Sequence, residues 1–142
     1  MKKSRILVVD DDPVTRDLLQ EVLEHEGYAV ALASDGAAAL AKMEEQTFLV
    51  LSDIRMAGLD GLELLSQMRK RFASTFVILM TGFGNLEGAV RAIQEGAFDY
   101  ISKPFRIEDL KALVARAHKQ WRSLQDEGRA PLRTAPPPRR SL

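Results

Sequence analysis

Arg5-Ile6-Leu7-Val8-Val9-Asp10-Asp11-Asp12-Pro13 is the stretch that decides how this chain folds. Four consecutive apolar residues after Arg5 suit a strand covered on both faces, as in a parallel sheet. The run then stops in three carboxylates. Asp12 stands where a helix N-cap belongs, and Pro13 where the first turn begins. A helical pattern follows to Glu26, with Val14, Leu18, Leu19, Val22 and Leu23 at helical spacing and Gly27 to end it.

The alternation repeats down the chain. Apolar runs at Tyr28–Ala33, Phe48–Ser52, Phe76–Met80 and Asp99–Ser102 read as further strands. Between them, helices are predicted over Asp35–Glu45, Leu62–Arg71 and Asn85–Glu95, with a longer one over Ile107–Gln125. The last carries Leu110, Leu113, Val114, Ala117, Trp121 and Leu124 on one stripe. Five strand–helix units imply an α/β protein: right-handed crossovers and a doubly wound parallel sheet with helices on both faces.

Composition narrows the field. The 142 residues give room for one domain. The lack of Cys excludes disulfides, thiolate zinc sites and cysteine nucleophiles, and His25 and His118 alone do not make a zinc site. Ile6–Val9 is shorter than the roughly 7–15 apolar residues of a signal peptide and the roughly 20 of a membrane span. A cytoplasmic protein without membrane contact is expected. The 20 basic and 20 acidic side chains cancel, so no overall bias towards nucleic acid exists. Zero is an average, however. From Gly128 onward the chain holds four of six prolines, four arginines and no acid, and reads as a disordered tail over 128–142. Residues 1–127 then form the folded domain, with 16 basic and 20 acidic side chains, a net of −4. The tail arginines could add weak, salt-dependent attraction to nucleic acid or an acidic protein; a flexible terminus with no partner is the simpler reading.

In doubly wound sheets, ligands bind outside the carboxyl ends of the strands. No G-x-G-x-x-G follows strand 1, which argues against a dinucleotide enzyme. What the strands run into is Asp10-Asp11-Asp12, Asp53, Thr81-Gly82 and Lys103-Pro104. Singly, each has an ordinary explanation: a solvated turn with a cap, a loop carboxylate, a turn, a surface lysine. Together on one edge they suit phosphoryl chemistry on a carboxylate. Carboxylates about 4 Å apart repel by roughly 4 kcal/mol per pair at an effective dielectric of 20. Mg²⁺, which takes all-oxygen ligands, and Lys103 would relieve that repulsion. They would also neutralise a phosphoryl group on Asp53, while the Thr81 hydroxyl donates to it.

The ordered motifs Leu7-Val8-Val9-Asp10-Asp11-Asp12, Leu51-Ser52-Asp53-Ile54-Arg55-Met56, Asp60-Gly61, Met80-Thr81-Gly82 and Tyr100-Ile101-Ser102-Lys103-Pro104-Phe105 carry a resemblance. From Arg5 to Trp121 the chain resembles a response-regulator receiver domain of two-component signalling. Met80-Thr81-Gly82-Phe83-Gly84 through Gly96-Ala97-Phe98-Asp99-Tyr100 is similar to receivers of nitrogen-regulation-type enhancer-binding activators. The resemblance implies a flavodoxin-like (βα)5 fold with strand order 2-1-3-4-5. It makes Asp53 the phosphoacceptor, with the phosphoryl group supplied by a sensor histidine kinase or phosphotransfer protein. It assigns Mg²⁺ to Asp10, Asp11, Asp53 and the backbone carbonyl of Arg55, and the phosphoryl oxygens to Thr81 and Lys103. Tyr100 becomes an aromatic switch, and output passes through the surface of helix 4, strand 5 and helix 5 to a partner or a second copy.

The strand–helix units use up the chain, so the expectation is a receiver without an output domain, acting alone or as a fragment of a larger activator. Met56-Ala57 stands where the family often has Met-Pro, which loosens that loop. Arg55 and Phe83, each two residues past a site residue, are placed to cover the phosphoryl group and slow its hydrolysis. Trp121 and Leu124 extend the last helix beyond the sheet, either as a contact for a partner or folded back on the rim. Two other readings stay open. Asp10-x-Asp12-x-Val14 also fits the first motif of haloacid-dehalogenase-like phosphatases, with Thr81 and Lys103 as later motifs, although Asp53 is then unexplained. An interaction module that is never phosphorylated is the third.

Overall fold

The computed structural model describes residues 3–56, 58–82 and 86–126. Strands and helices alternate: β1 (Arg5–Val9), α1 (Pro13–His25), β2 (Ala29–Ala33), α2 (Gly36–Ala41), β3 (Thr47–Asp53), α3 (Gly61–Arg71), β4 (Phe76–Thr81), α4 (Leu86–Gln94), β5 (Asp99–Ser102) and α5 (Ile107–Asp126). All strand pairs are parallel, in the order β2-β1-β3-β4-β5. The doubly wound sheet expected from the sequence is therefore the one found.

The period of two along each strand divides the core. Leu7, Val9, Val50, Val77 and Leu79 point to one face, where Leu64, Leu65 and Met68 of α3 and Ala92 of α4 meet them. Ile6, Val8, Leu49, Leu51, Ile78 and Met80 point to the other, against Leu19 and Leu23 of α1 and Leu110, Val114 and Ala117 of α5. Both layers are buried, which is why the central strands read as continuous apolar runs. Among the described residues no helix is long and apolar enough to cross a membrane.

Three sequence expectations need correction. The second helix ends at Ala41, not Glu45, because the Arg5 guanidinium takes the Lys42 carbonyl at 2.8 Å and Thr47 N–H turns back to the Glu44 carbonyl at 3.0 Å. In α1 only Leu19 and Leu23 of the predicted stripe are fully buried. Val14 and Leu18 are 73% and 47% exposed, since they stand about 100° or more round the helix from the Leu19–Leu23 line that meets the sheet. Finally, β3 and β4 each extend one residue further than read, so Asp53 and Thr81 are the last residues of their strands.

The far end of α5 folds back on the domain. Trp121 packs against Phe48 with ring centroids 5.7 Å apart and lies stacked beside His118, at 6.2 Å and 17°. His118 in turn meets Tyr28 edge-on and accepts or donates a 2.8 Å hydrogen bond with Ser4 Oγ. Of the two readings for Trp121, the rim is the one observed. Ala57, Phe83, Asn85 and the tail expected from Gly128 lie outside the described residues.

Candidate functional site

β1 delivers the first acid. Asp10 follows Val9 directly and is fully buried, with its N–H on the Ala33 carbonyl at 3.1 Å. A buried carboxylate needs partners for its oxygens. Oδ1 accepts from Asp12 N–H at 2.9 Å, and Oδ2 takes the Lys103 ammonium at 2.8 Å. Asp11 is exposed, and among the described residues it makes no side-chain hydrogen bond. Asp12 turns away to cap α1, accepting from Val14 N–H and the Thr15 hydroxyl; the Thr15 bond and then the Val14 bond hold its pKa down. A carboxylate used as a cap is not aimed at the cluster, which removes the acid that the phosphatase reading required.

β3 brings Asp53 beside it. Asp53 Oδ2 lies 3.2 Å from Lys103 Nζ, and Oδ1 accepts from Arg55 N–H at 3.2 Å. Gly61 at the start of α3 lets that helix approach: its N–H donates to the Ile54 carbonyl at 2.8 Å, with no Cβ to strike the strand end. Asp60 before it forms a capping box with Glu63, at 2.9 Å and 3.1 Å.

Oxygens of Asp10, Asp11 and Asp53 all lie within 4.8 Å of one another. At that spacing each pair repels by roughly 3 kcal/mol at an effective dielectric of 20. Among the described residues one ammonium, bonded to two of them, serves the three carboxylates. Burial raises the Asp53 pKa; the Lys103 charge offsets part of the rise, and the Asp10 charge adds to it. Burial opposes the charge on Lys103, but its hydrogen bond to Asp10 and the fields of Asp53 and Asp10 outweigh this, so its pKa stands above the ordinary lysine value. The donor set is all oxygen and anionic, which fits a hard divalent cation. An open cavity of about 500 Å³ adjoins it, lined by Asp11, Ile54, Arg55, Met56 and Asp60.

The other expected residues are near but not joined to the cluster. Thr81 is buried at the end of β4, where its hydroxyl points to Ser102 Oγ at 3.5 Å. Its carbonyl accepts from Lys103 N–H at 2.7 Å, which fixes the root of that side chain. Tyr100 is half-buried on β5 with its N–H on Asp99 Oδ1 at 2.8 Å, and Asp99 Oδ2 holds Arg116 of α5 at 2.6 Å. One residue at the site was not read from the sequence. Arg16, one turn into α1, donates from Nη1 to the Asp10 carbonyl at 2.7 Å; its place four residues after the Asp12 cap was the available signal.

Fold and site together define a doubly wound α/β protein with an acidic, metal-capable centre on the carboxyl edge of its sheet. The comparisons narrow this further. Residues 6–115 match the model of the response regulator receiver domain, and the chain belongs to that family. It is 41% identical over 126 residues to the DNA-binding transcriptional regulator NtrC of Escherichia coli, covering 88% of this chain and 27% of that protein. It is 40% identical to the transcriptional regulatory protein FixJ of Bradyrhizobium diazoefficiens, over 83% of this chain and 58% of the relative. Among solved structures, the receiver domain of NtrX from Brucella abortus superposes with a TM-score of 0.77 at 41% identity, covering 80% of this chain and 98% of that one. The chain thus spans about a quarter of the length of its NtrC-type relatives, and the nitrogen-regulation resemblance holds.

Proposed function

We propose that this domain accepts a phosphoryl group on Asp53 from a phosphohistidine of a sensor kinase or phosphotransfer protein. The observation that carries the reading is the convergence of Asp10, Asp11 and Asp53 around Lys103 at one sheet edge. In the transfer, an Asp53 carboxylate oxygen forms the new O–P bond as the N–P bond breaks, and the imidazole keeps the electron pair. Lys103 already rests on Asp53, so its ammonium faces the negative charge brought by the phosphoryl oxygens. Asp10 holds that ammonium in place from a fully buried position. The Thr81 hydroxyl would leave Ser102 to donate to the phosphoryl group, and Tyr100 on the same sheet edge would turn with it.

Asp10, Asp11 and Asp53, with the Arg55 carbonyl, are the groups that would hold Mg²⁺. Bound there, the ion would neutralise charge on the carboxylates and the incoming phosphoryl group. Output would pass through α4, β5 and α5 to a protein partner or a second copy, in the cytoplasm. Leu86 and Val90 on α4 are 66% and 47% exposed, which supports that surface. Arg55 beside Asp53 supports slow hydrolysis of the phospho-form.

The test is labelling with acetyl phosphate and Mg²⁺, read as the added mass of one phosphoryl group. Wild type should be labelled once, and Asp53→Asn not at all. An Asp53→Asn protein that is still labelled overturns the assignment. Profiling phosphotransfer against the sensor kinases of the source organism then identifies the donor.

A further inference from the structure

Arg16 has a place in this site that the site's own chemistry does not explain. Its guanidinium folds back from the first turn of α1 and donates to the Asp10 carbonyl at 2.7 Å. A cation there opposes the helix macrodipole. Stability of α1 is therefore not what the residue serves. What it meets is the carbonyl at which β1 leaves the sheet: the register of β1 ends at Val9 on both sides, so the Asp10 carbonyl has no strand partner. Asp10 is fully buried, and a buried carbonyl without a donor is costly.

The consequence lies one residue on. The Asp10–Asp11 peptide is planar, so fixing its oxygen fixes the direction of the Asp11 N–H and the exit of the Asp11 Cα. Asp10 and Asp53 are also held by the Lys103 ammonium. Asp11 is not: its carboxylate has no hydrogen-bonding partner among the described residues, yet it lies within 4.8 Å of the other two. Backbone alone puts it there. The Asp12 cap secures the loop on one side, and Arg16 secures it on the other.

We propose that Arg16 is a positioning residue that holds the Asp10–Asp11 peptide so that the Asp11 carboxylate completes the cation-binding set. This rests on the phosphoacceptor reading above only in taking the acidic cluster as a divalent-cation site. The role is separate from catalysis, since Arg16 acts through a backbone carbonyl and touches no reacting atom.

Mn²⁺ binding followed by electron paramagnetic resonance tests the proposal on the full chain, with Arg16→Met, Arg16→Lys and Arg16→Gln beside wild type. Methionine keeps the unbranched stem and removes the donor; lysine and glutamine each return a donor, with and without charge. Arg16→Met should bind Mn²⁺ on the order of tenfold more weakly, which corresponds to about 1.4 kcal/mol. Its metal-free amide spectrum should show Asp11 and Asp12 shifted while signals of the β4 core stay in place. Arg16→Lys should recover most of the affinity. Equal Mn²⁺ affinity in Arg16→Met and wild type, or no recovery in either donor-bearing variant, overturns the role. If Arg16→Met does not fold, Arg16→Ala takes its place as the variant without a donor, with the same expected and overturning outcomes. Wild type that binds no Mn²⁺ overturns the cation site itself, a failure visible before any variant is compared.

Discussion

Gly61→Ala should damage stability and site together, and the structure says by how much. A Cβ on Gly61 would fall 2.7 Å from Ile54 Cα and closer still to the Asp53 carbonyl oxygen. Carbon atoms in ordinary contact sit roughly 3.5–4.0 Å apart, so the strand end and helix start must separate by roughly 1 Å. Neither obstacle is a side chain that can rotate away. Overpacking of this kind costs about 1–3 kcal/mol, with little returned by helix propensity at the first helical position. For a domain of this size that is a fall in Tm of roughly 3–15 °C. The displaced strand end carries Asp53, whose bonds to Lys103 and Arg55 N–H are both 3.2 Å long. A shift of that size along either bond takes it beyond hydrogen-bonding range. Labelling by acetyl phosphate with Mg²⁺, measured well below both melting temperatures, should slow by tenfold or so. Gly82→Ala is the control: among the described residues nothing lies within 4 Å of its Cβ, and its Tm should barely move. A Gly61→Ala protein with wild-type Tm and labelling rate would refute the close-approach argument.

Two further outcomes are expected. Asp60→Ala removes the side-chain acceptor of the α3 capping box, leaving the backbone N–H of that position on Glu63, and should cost about 0.5–2 kcal/mol in urea unfolding. His118 is held below its ordinary pKa of 6.5, first by burial and then by the Arg122 charge. The unfolded chain therefore takes up this proton first as pH falls, so the contribution of neutral His118 is present above about 6.5 and is lost as pH drops through the lower folded value. Between about pH 7.5 and about pH 5.5, wild type should lose more Tm than His118→Gln, and equal losses would count against that linkage.

Much of this was legible because parallel strands announce themselves by composition. Arg5–Val9 and Asp99–Ser102 were read with the bounds they have, since a run of apolar residues closed by polar ones leaves little choice of ends. The acids and Lys103 were legible for the same reason: the topology carries every strand end to one edge. Long-range closure was not legible. The Arg5 bond that ends α2 spans 37 residues, and the Ser4–His118 bond spans 114; no local pattern encodes either. Gly61 was seen as a motif letter, but the need for a bare Cα comes from Asp53 and Ile54 packed on it. Val14 and Leu18 had helical spacing without burial, because spacing says which residues lie near one another on a helix and not which line of that surface meets the sheet.

The site is also a place where the fold is held against its own electrostatics. Lys103 reaches Asp10 and Asp53, and the third carboxylate stands within 4.8 Å of both with no cation of its own among the described residues. Asp10 cannot be relieved by water, being fully buried, whereas Asp53 is partly open and shares its lysine. Removing the Asp53 charge leaves the Lys103–Asp10 bond intact and deletes two repulsions. Asp53→Asn should therefore melt at a higher temperature than wild type in EDTA, the reverse of what loss of an ion pair usually does. Added Mg²⁺ should raise the wild-type Tm by mass action and raise that of Asp53→Asn far less. A variant less stable than wild type in EDTA would mean that Lys103 neutralises the cluster by itself, and that the carboxylates are not kept close at the expense of stability.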